Sequence, residues 1–396
     1  MNIGMILDKH FPPDPRVERE AVSLSSNGYK VFLFCVSFDG KHEDEMFNYK
    51  GFIVHRVHKK KITNKFSAIS QTFPFYKNSF LKDIEQFILK YKIKYLHVHD
   101  MVIADTVFQV NEKYKLPVIL DLHENRPAIM REYGGFKNPF KKFVVNFEMW
   151  EKNQLEYIKK SNKLIVVTEH SKRLIEPELI QPKDIIVLPN SLVPGNIEEM
   201  SLDKQIEEKF KTGFKLFYFG DTGLRRGTDT IIYGVAKLRE FIPDIKLIIV
   251  GSSIDDSKLV EIVEENDLSK HVYLEGWQDE KLFMSYALMS DLCLSPLKRN
   301  LHHDTTYANK IFQYMEASKP MIVSDCVAQE ELVLNEKCGL VFQSNSVYDF
   351  FEKVMTLYKD EKLRLELGFN GRKSLENKYN WNIYSKNLIS LYNSIK

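Results

Sequence analysis

The sequence predicts an α/β protein of two Rossmann-like, doubly wound domains facing across a cleft. The chain is 396 residues long, more than one hydrophobic core usually serves. Short apolar runs alternate with amphipathic stretches, the pattern of a parallel sheet flanked by helices. That alternation stops once, in a polar stretch, and then starts again.

Residues 1–193 form the first expected domain, with NIGMIL, KVFLFCV, YLHVHD, PVILDLHE, LIVVT and IIVLPN as its strands. RVEREAVSLSSNGY and KDIEQFILKYK carry apolar residues at helical spacing, and Gly28 is placed to stop the first helix. The charged stretch 194–212 reads as a linker. Residues 213–375 form the second expected domain, with KLFYFG, KLIIVG, VYLEGW, LCLSP, PMIVSD and GLVF as strands and TDTIIYGVAKLREF as a helix. The tail, 376–396, is expected to be a helix that packs back on the first domain. Open α/β sheets bind ligands beyond the carboxyl ends of their strands, so the chemistry is sought in the loops found there.

Composition narrows the function classes. With 56 basic and 54 acidic residues the net charge is +2, which gives no electrostatic case for nucleic acid. No apolar run approaches the roughly 20 residues that cross a bilayer, and the first residues read as a strand and not as a leader, so a cytoplasmic location is expected. Cys35, Cys293, Cys326 and Cys338 are scattered without metal-ligand spacing and read as small buried residues, so no metal is assigned.

Two stretches of the second domain carry the chemistry. In GDTGLRRGTDT, Gly220 to Thr230, glycines allow close backbone approach while Arg225, Arg226 and a helix N-terminus favour an anion such as a diphosphate. An ordinary turn with two solvated arginines is the alternative. It is neither a Walker loop nor GxGxxG. In LHHDTTYANKIFQYMEASKPMIVSD, helical spacing turns Ile311, Phe312 and Met315 inward and leaves Lys310 to meet phosphate and Gln313 to meet a ribose. Spacing alone favours a surface lysine and glutamine on a core helix. His302 and His303 read as solvent-facing, and contacts to base and sugar are sought around Trp277 and Thr305.

In the first domain, Asp100 and His123 close predicted strands. His97 and His99 share a face, so one of them is expected to be structural. His123, neutral and followed by Glu124, is the candidate to hydrogen-bond the transferred sugar, with a strand-end cap as the alternative. Asp14 and Arg16 are placed on the acceptor side, although Asp-Pro-Arg also fits a plain helix entry. Two basic and aromatic stretches, from His58 and from Phe136, fit either solvated faces or a membrane surface.

GDTGLRRG followed by KIFQYMEASKPMIVSD resembles the C-terminal domain of the retaining GT-B glycosyltransferases of the family 4 group, glycosyl transferases group 1. In that family a G-(x)6-KG loop holds diphosphate and a K-[LI]-FEYM-x-x-GKP stretch holds the donor. FPPDPRVEREAVSLSSNGYKV, HVHD, DLHENRP, LIVVTEHSKRLI and VLPNS are similar to segments of its first domain, so the likeness spans most of the chain. It implies hexosyl transfer with retention from a nucleotide diphosphate sugar to a glycan or lipid-linked acceptor in polysaccharide or glycoconjugate synthesis. The leaving phosphate would assist the incoming hydroxyl, with no enzyme nucleophile and no cofactor, and peripheral membrane contact is part of the expectation. Arg226 stands at the basic diphosphate position and Lys310 at the lysine of the K-[LI]-F pattern, and with Arg225 they neutralise the leaving group without a divalent metal. Departures are Asp221 where the family has arginine, Thr305 and Gln313 where many members have glutamates, and Ser318 for glycine. A nucleotide-sugar 2-epimerase would need paired carboxylates and would form product without acceptor. The departures also permit a non-catalytic sugar-nucleotide-binding protein.

Overall fold

The structure, a computed structural model, describes residues 1–41, 43–133, 145–179, 184–195 and 202–395. It divides into two compact units, Met1–Pro189 with Tyr384–Lys396, and Asn190–Ile383. The stretch read as a linker opens the second unit and contains the helix Lys204–Lys209, while its residues 196–201 lie outside the described ones.

The first unit is built on an eight-stranded sheet in the order β3-β4-β2-β1-β5-β6-β7-β8. Its strands are β1 (Asn2–Ile6), β2 (Lys30–Ser37), β3 (Glu45–Tyr49), β4 (Phe52–His58), β5 (Tyr95–His99), β6 (Val118–Leu122), β7 (Lys163–Val166) and β8 (Ile185–Val187). All neighbours run parallel except β3 on β4. The inner strands have helices over both faces, which is why β5 and β6 are buried at every position. The sequence reading overlooked β3 and β4. Lys50 and Gly51, both at positive φ, join them in a two-residue hairpin turn. Half-buried and exposed positions alternate along β3, an edge strand whose apolar signal is correspondingly weak.

The second unit holds a six-stranded, wholly parallel sheet in the order β11-β10-β9-β12-β13-β14. Its strands are β9 (Lys215–Phe219), β10 (Lys246–Val250), β11 (Val272–Gly276), β12 (Leu292–Ser295), β13 (Met321–Ser324) and β14 (Gly339–Phe342). These are the six apolar runs expected from the sequence. The helix Thr228–Leu238 buries Ile231, Ile232, Val235 and Leu238 completely on one face of the sheet. Truncating any of them to alanine removes about 2–5 kcal/mol of packing. On the opposite face the helix Lys310–Glu316 buries Ile311, Phe312 and Met315, as its spacing requires, and Tyr314 as well.

In each sheet the strand order reverses once, between β1 and β5 and between β9 and β12. Connections leave in opposite directions at such a point and open a crevice at the carboxyl ends of the two strands.

Candidate functional site

At the switch point of the second unit, β9 runs into Gly220 at φ +121° and then into the Asp221–Gly227 loop. A single turn of 3-10 helix, Leu224–Arg226, ends at Gly227, whose φ of +76° starts the helix Thr228–Leu238. Residue 227 must be glycine for a second reason: a Cβ there would lie 1.8 Å from the Pro296 carbonyl oxygen. The segment after β12 is thus wedged against the loop after β9. The N–H of Lys298 donates to the Arg225 carbonyl at 3.3 Å and the Lys298 ammonium meets Asp229 at 2.6 Å.

Both arginines of the loop converge on Asp221. Arg225 hydrogen-bonds its carboxylate, and Arg226 Nε lies 3.6 Å from it. Burial would raise the Asp221 pKa, but the Gly223 N–H and the two guanidinium groups outweigh it and hold the carboxyl below its usual range. On its other side Arg226 places NH1 3.3 Å from His303 Nε2. His302 and His303 are buried and not solvent-facing, His303 completely. The short helix Leu301–Asp304 folds them inward.

Lys310 is only 9% exposed. Its Nζ sits 3.6 Å above the centre of the Tyr218 ring, a cation–π contact that sequence spacing gave no means to foresee. Among the described residues the ammonium has no hydrogen-bonded or ion-paired partner. Burial, and then the charge of Arg226, hold its pKa well below the ordinary lysine value. Gln313 is half-buried one turn along the same helix. The Thr305 hydroxyl is buried against the carbonyls of Leu301 and His302, each at 3.0 Å. Trp277, just beyond β11, is 76% exposed.

The first unit assembles a different centre at the ends of β5 and β6. Arg16 grips Asp121 with two bonds, Nε to Oδ2 at 2.9 Å and NH2 to Oδ1 at 2.7 Å, and gives NH1 to the Leu188 carbonyl at 2.7 Å. Arg16 is therefore buried in the first turn of its helix, the plain helix entry that Asp-Pro-Arg also fitted, and is not a loop residue. Asp14 is the N-cap of that helix, accepting from the Arg16 and Val17 N–H groups. Glu20, one turn on, lies 3.2 Å from Arg16 and 3.4 Å from His97, and burial followed by the Asp121 charge pushes its pKa up to about 8.

His123 reaches Asp121 Oδ2 at 3.1 Å through Nε2 and Asp100 Oδ2 at 3.6 Å through Nδ1. Burial lowers its pKa, but the two carboxylates outweigh burial and raise it to about 9. His123 is thus an imidazolium at neutral pH and not the neutral ring expected. Asp100 is also 3.4 Å from Lys9, and Glu124 pairs with Arg126 at 3.1 Å. His97 and His99, both completely buried, stack with centroids 4.4 Å apart. His97 Nδ1 bonds the Tyr392 hydroxyl at 2.8 Å. Glu20, His97, His99 and Asp121 lie close enough to share a cation, and the Arg16 guanidinium already occupies that role. Asp121 and Glu20 were missed in the sequence, although Asp121 stands two residues before His123, on the side of β6 that alternation extended past the strand end would give to His123.

Two family descriptions match the chain: Glycosyltransferase Family 4 over residues 16–193 and Glycosyl transferases group 1 over residues 199–374. An uncharacterized glycosyltransferase of Methanocaldococcus jannaschii is 24% identical over 60% of this chain and 62% of its own. The capsular polysaccharide biosynthesis glycosyltransferase CapM of Staphylococcus aureus is 25% identical over 58% of this chain and 61% of its own. The alignments thus span under two thirds of those relatives. Among solved structures, HepE of Anabaena in complex with UDP superposes over 100% of both chains with a TM-score of 0.71 at 12% identity. With a family match on each half and a two-sheet fold in common with these enzymes, the chain belongs to the GT-B glycosyltransferases of the family 4, group 1 type.

Proposed function

We propose that the protein transfers a hexosyl group, with retention of configuration, from a nucleotide diphosphate sugar to a glycan or lipid-linked acceptor in polysaccharide or glycoconjugate synthesis. The observation that carries this reading is Lys310. A nearly buried ammonium without a counter-ion is costly, and a diphosphate seated against it and Arg226 supplies the missing anion. As the sugar departs, charge grows on the diphosphate, and Lys310, Arg225 and Arg226 stabilise that charge from fixed positions. This role needs no divalent metal. The UDP bound to HepE and the polysaccharide role in the name of CapM agree with the donor and product classes.

The first unit is assigned the acceptor side, with Asp100 and Glu124 as acceptors of hydroxyl hydrogens and His123 as a charged donor to a substrate oxygen. No helix among the described residues is long and apolar enough to cross a membrane. The first unit nevertheless exposes Lys60, Lys61 and Lys65 beside Ile62, Phe73 and Phe75. A basic and aromatic surface of that kind suits an anionic bilayer face, where lipid-linked acceptors lie and where a cytoplasmic enzyme meets them. The second basic stretch, from Phe136, has its residues 136–144 outside the described ones.

Thermal unfolding with a panel of nucleoside diphosphates and their sugars tests the reading. One base is expected to raise the transition of the wild-type protein, and Lys310→Met is expected to lose that shift. A panel with no stabilising member, or a Lys310→Met protein that keeps the full shift, overturns it.

A further inference from the structure

His303 is built into the second unit so that its ring Nε2 faces Arg226 as an acceptor. Its N–H is held by Asn300 Oδ1 at 2.9 Å, and its ring Nδ1 lies 2.6 Å from the Lys298 carbonyl oxygen. The Asn300 amide nitrogen is also 3.3 Å from Nδ1, but the carbonyl is the much closer partner and only accepts, so Nδ1 carries the hydrogen. Burial pushes the ring pKa down to about 4, which keeps the imidazole neutral across the physiological range. Nε2 is then a bare lone pair. It lies 3.3 Å from NH1 of Arg226, the only kind of atom on that side chain that can satisfy it being an N–H donor.

The backbone that fixes the ring is itself tied to the loop it serves. Lys298 gives its N–H to Arg225 and its ammonium to Asp229, while Pro296 closes on Gly227. His303 and Arg226 are therefore held by one rigid pair of loops. The arginine has five N–H donors in a planar fork, and fixing NH1 fixes the plane in which the others point.

We propose that His303 is a positioning residue for the donor site: its Nε2 lone pair, presented by the bond from Nδ1–H to the Lys298 carbonyl, orients the Arg226 guanidinium toward the diphosphate of the nucleotide sugar. The inference rests on the sugar-transfer reading above. It predicts that His303 acts through Arg226 and not on the ligand directly, which a purely structural histidine would not do.

A double-mutant cycle read by calorimetric binding of UDP, or of GDP, ADP, CDP or dTDP if UDP is not the base accepted, tests it. His303→Met is expected to weaken binding about tenfold, the scale of one lost hydrogen bond to a charged group. His303→Gln, whose amide oxygen can reach the place of Nε2, recovers part of that loss. In the Arg226→Ala background, His303→Met costs less than twofold. Equal losses in the two backgrounds overturn the inference, as does a His303→Met protein with wild-type affinity. If His303→Met does not fold, the same cycle run with His303→Gln and His303→Asn decides, since Asn is too short to reach Arg226 and must show the larger loss. A wild-type protein that binds none of these diphosphates overturns the sugar-transfer reading itself. Binding that depends on Arg226 but shows no coupling to His303 overturns this inference alone.

Discussion

The two units place charge at equivalent points of their sheets and treat it in opposite ways. In the first, each buried charge faces an opposite one: Arg16 meets Asp121, and His123 lies between Asp121 and Asp100. In the second, Lys310 has an aromatic face beneath it and, among the described residues, no ion pair or hydrogen bond, the Asp221 carboxylate acting on it only at longer range. The paired centre is complete without a ligand and holds its geometry. The second is costly by itself, and on the sugar-transfer proposal the folding energy given up there becomes available to binding a diphosphate. A buried charge is therefore informative about a ligand only when its partner is missing.

The largest expected effect breaks the paired centre. Asp121→Ala strands Arg16 and His123 together and is expected to destabilise the first unit by about 3–5 kcal/mol, read as a lower urea midpoint. A loss below about 1 kcal/mol, the range of an exposed pair, would mean that pairing does not hold this unit together.

Next in size is pH. His123 has its folded pKa raised above the ordinary 6.5 to about 9. Its contribution is fully present below about pH 6.5 and is lost as pH rises through about 9, at most about 3 kcal/mol. Lys310, with its pKa lowered, has the opposite sign: stability is gained as pH rises through its folded pKa toward the ordinary value of 10.5. Urea midpoints between pH 6 and 10 should show an alkaline decline that His123→Gln removes. An unchanged decline in that variant would assign it to another group.

The smallest effect sharpens the contrast. Lys310→Met exchanges an unpaired ammonium for an apolar chain of similar length, and is expected to leave the second unit as stable or about 1 kcal/mol more stable. Removing a charge thus harms one unit and spares the other. A Lys310→Met protein several kcal/mol less stable would show that the ammonium is already satisfied.

The sequence made the second sheet fully legible because its strands are buried on both faces and read as unbroken apolar runs. β3 was missed because an edge strand with one wet face carries few apolar residues, and β4, an inner strand with Phe52, Ile53, Val54 and Val57, because His55, Arg56 and His58 interrupt its apolar run. At the site, Arg226 and Lys310 were legible as residue types next to glycines and a helix start. What Lys310 lacks was not legible, since its isolation depends on Tyr218, 92 positions away in the chain. His303 was misread for a related reason: a four-residue helix turns it inward, and no periodicity shows over so short a span. His123 was expected to be neutral, because the two aspartates that stabilise its protonated form lie far apart in the sequence, one just after β5 and one on β6.

Asp221, the one acidic residue between Gly220 and Gly227, already pairs with the two arginines proposed to hold the diphosphate. On the sugar-transfer proposal, seating a diphosphate is an exchange, in which phosphate oxygens displace this carboxylate from Arg225 and Arg226. Exchange costs affinity, and it also gives the arginines somewhere to return when the spent nucleotide leaves. The residue that departs most plainly from the family's pattern would thus favour product release over tight holding.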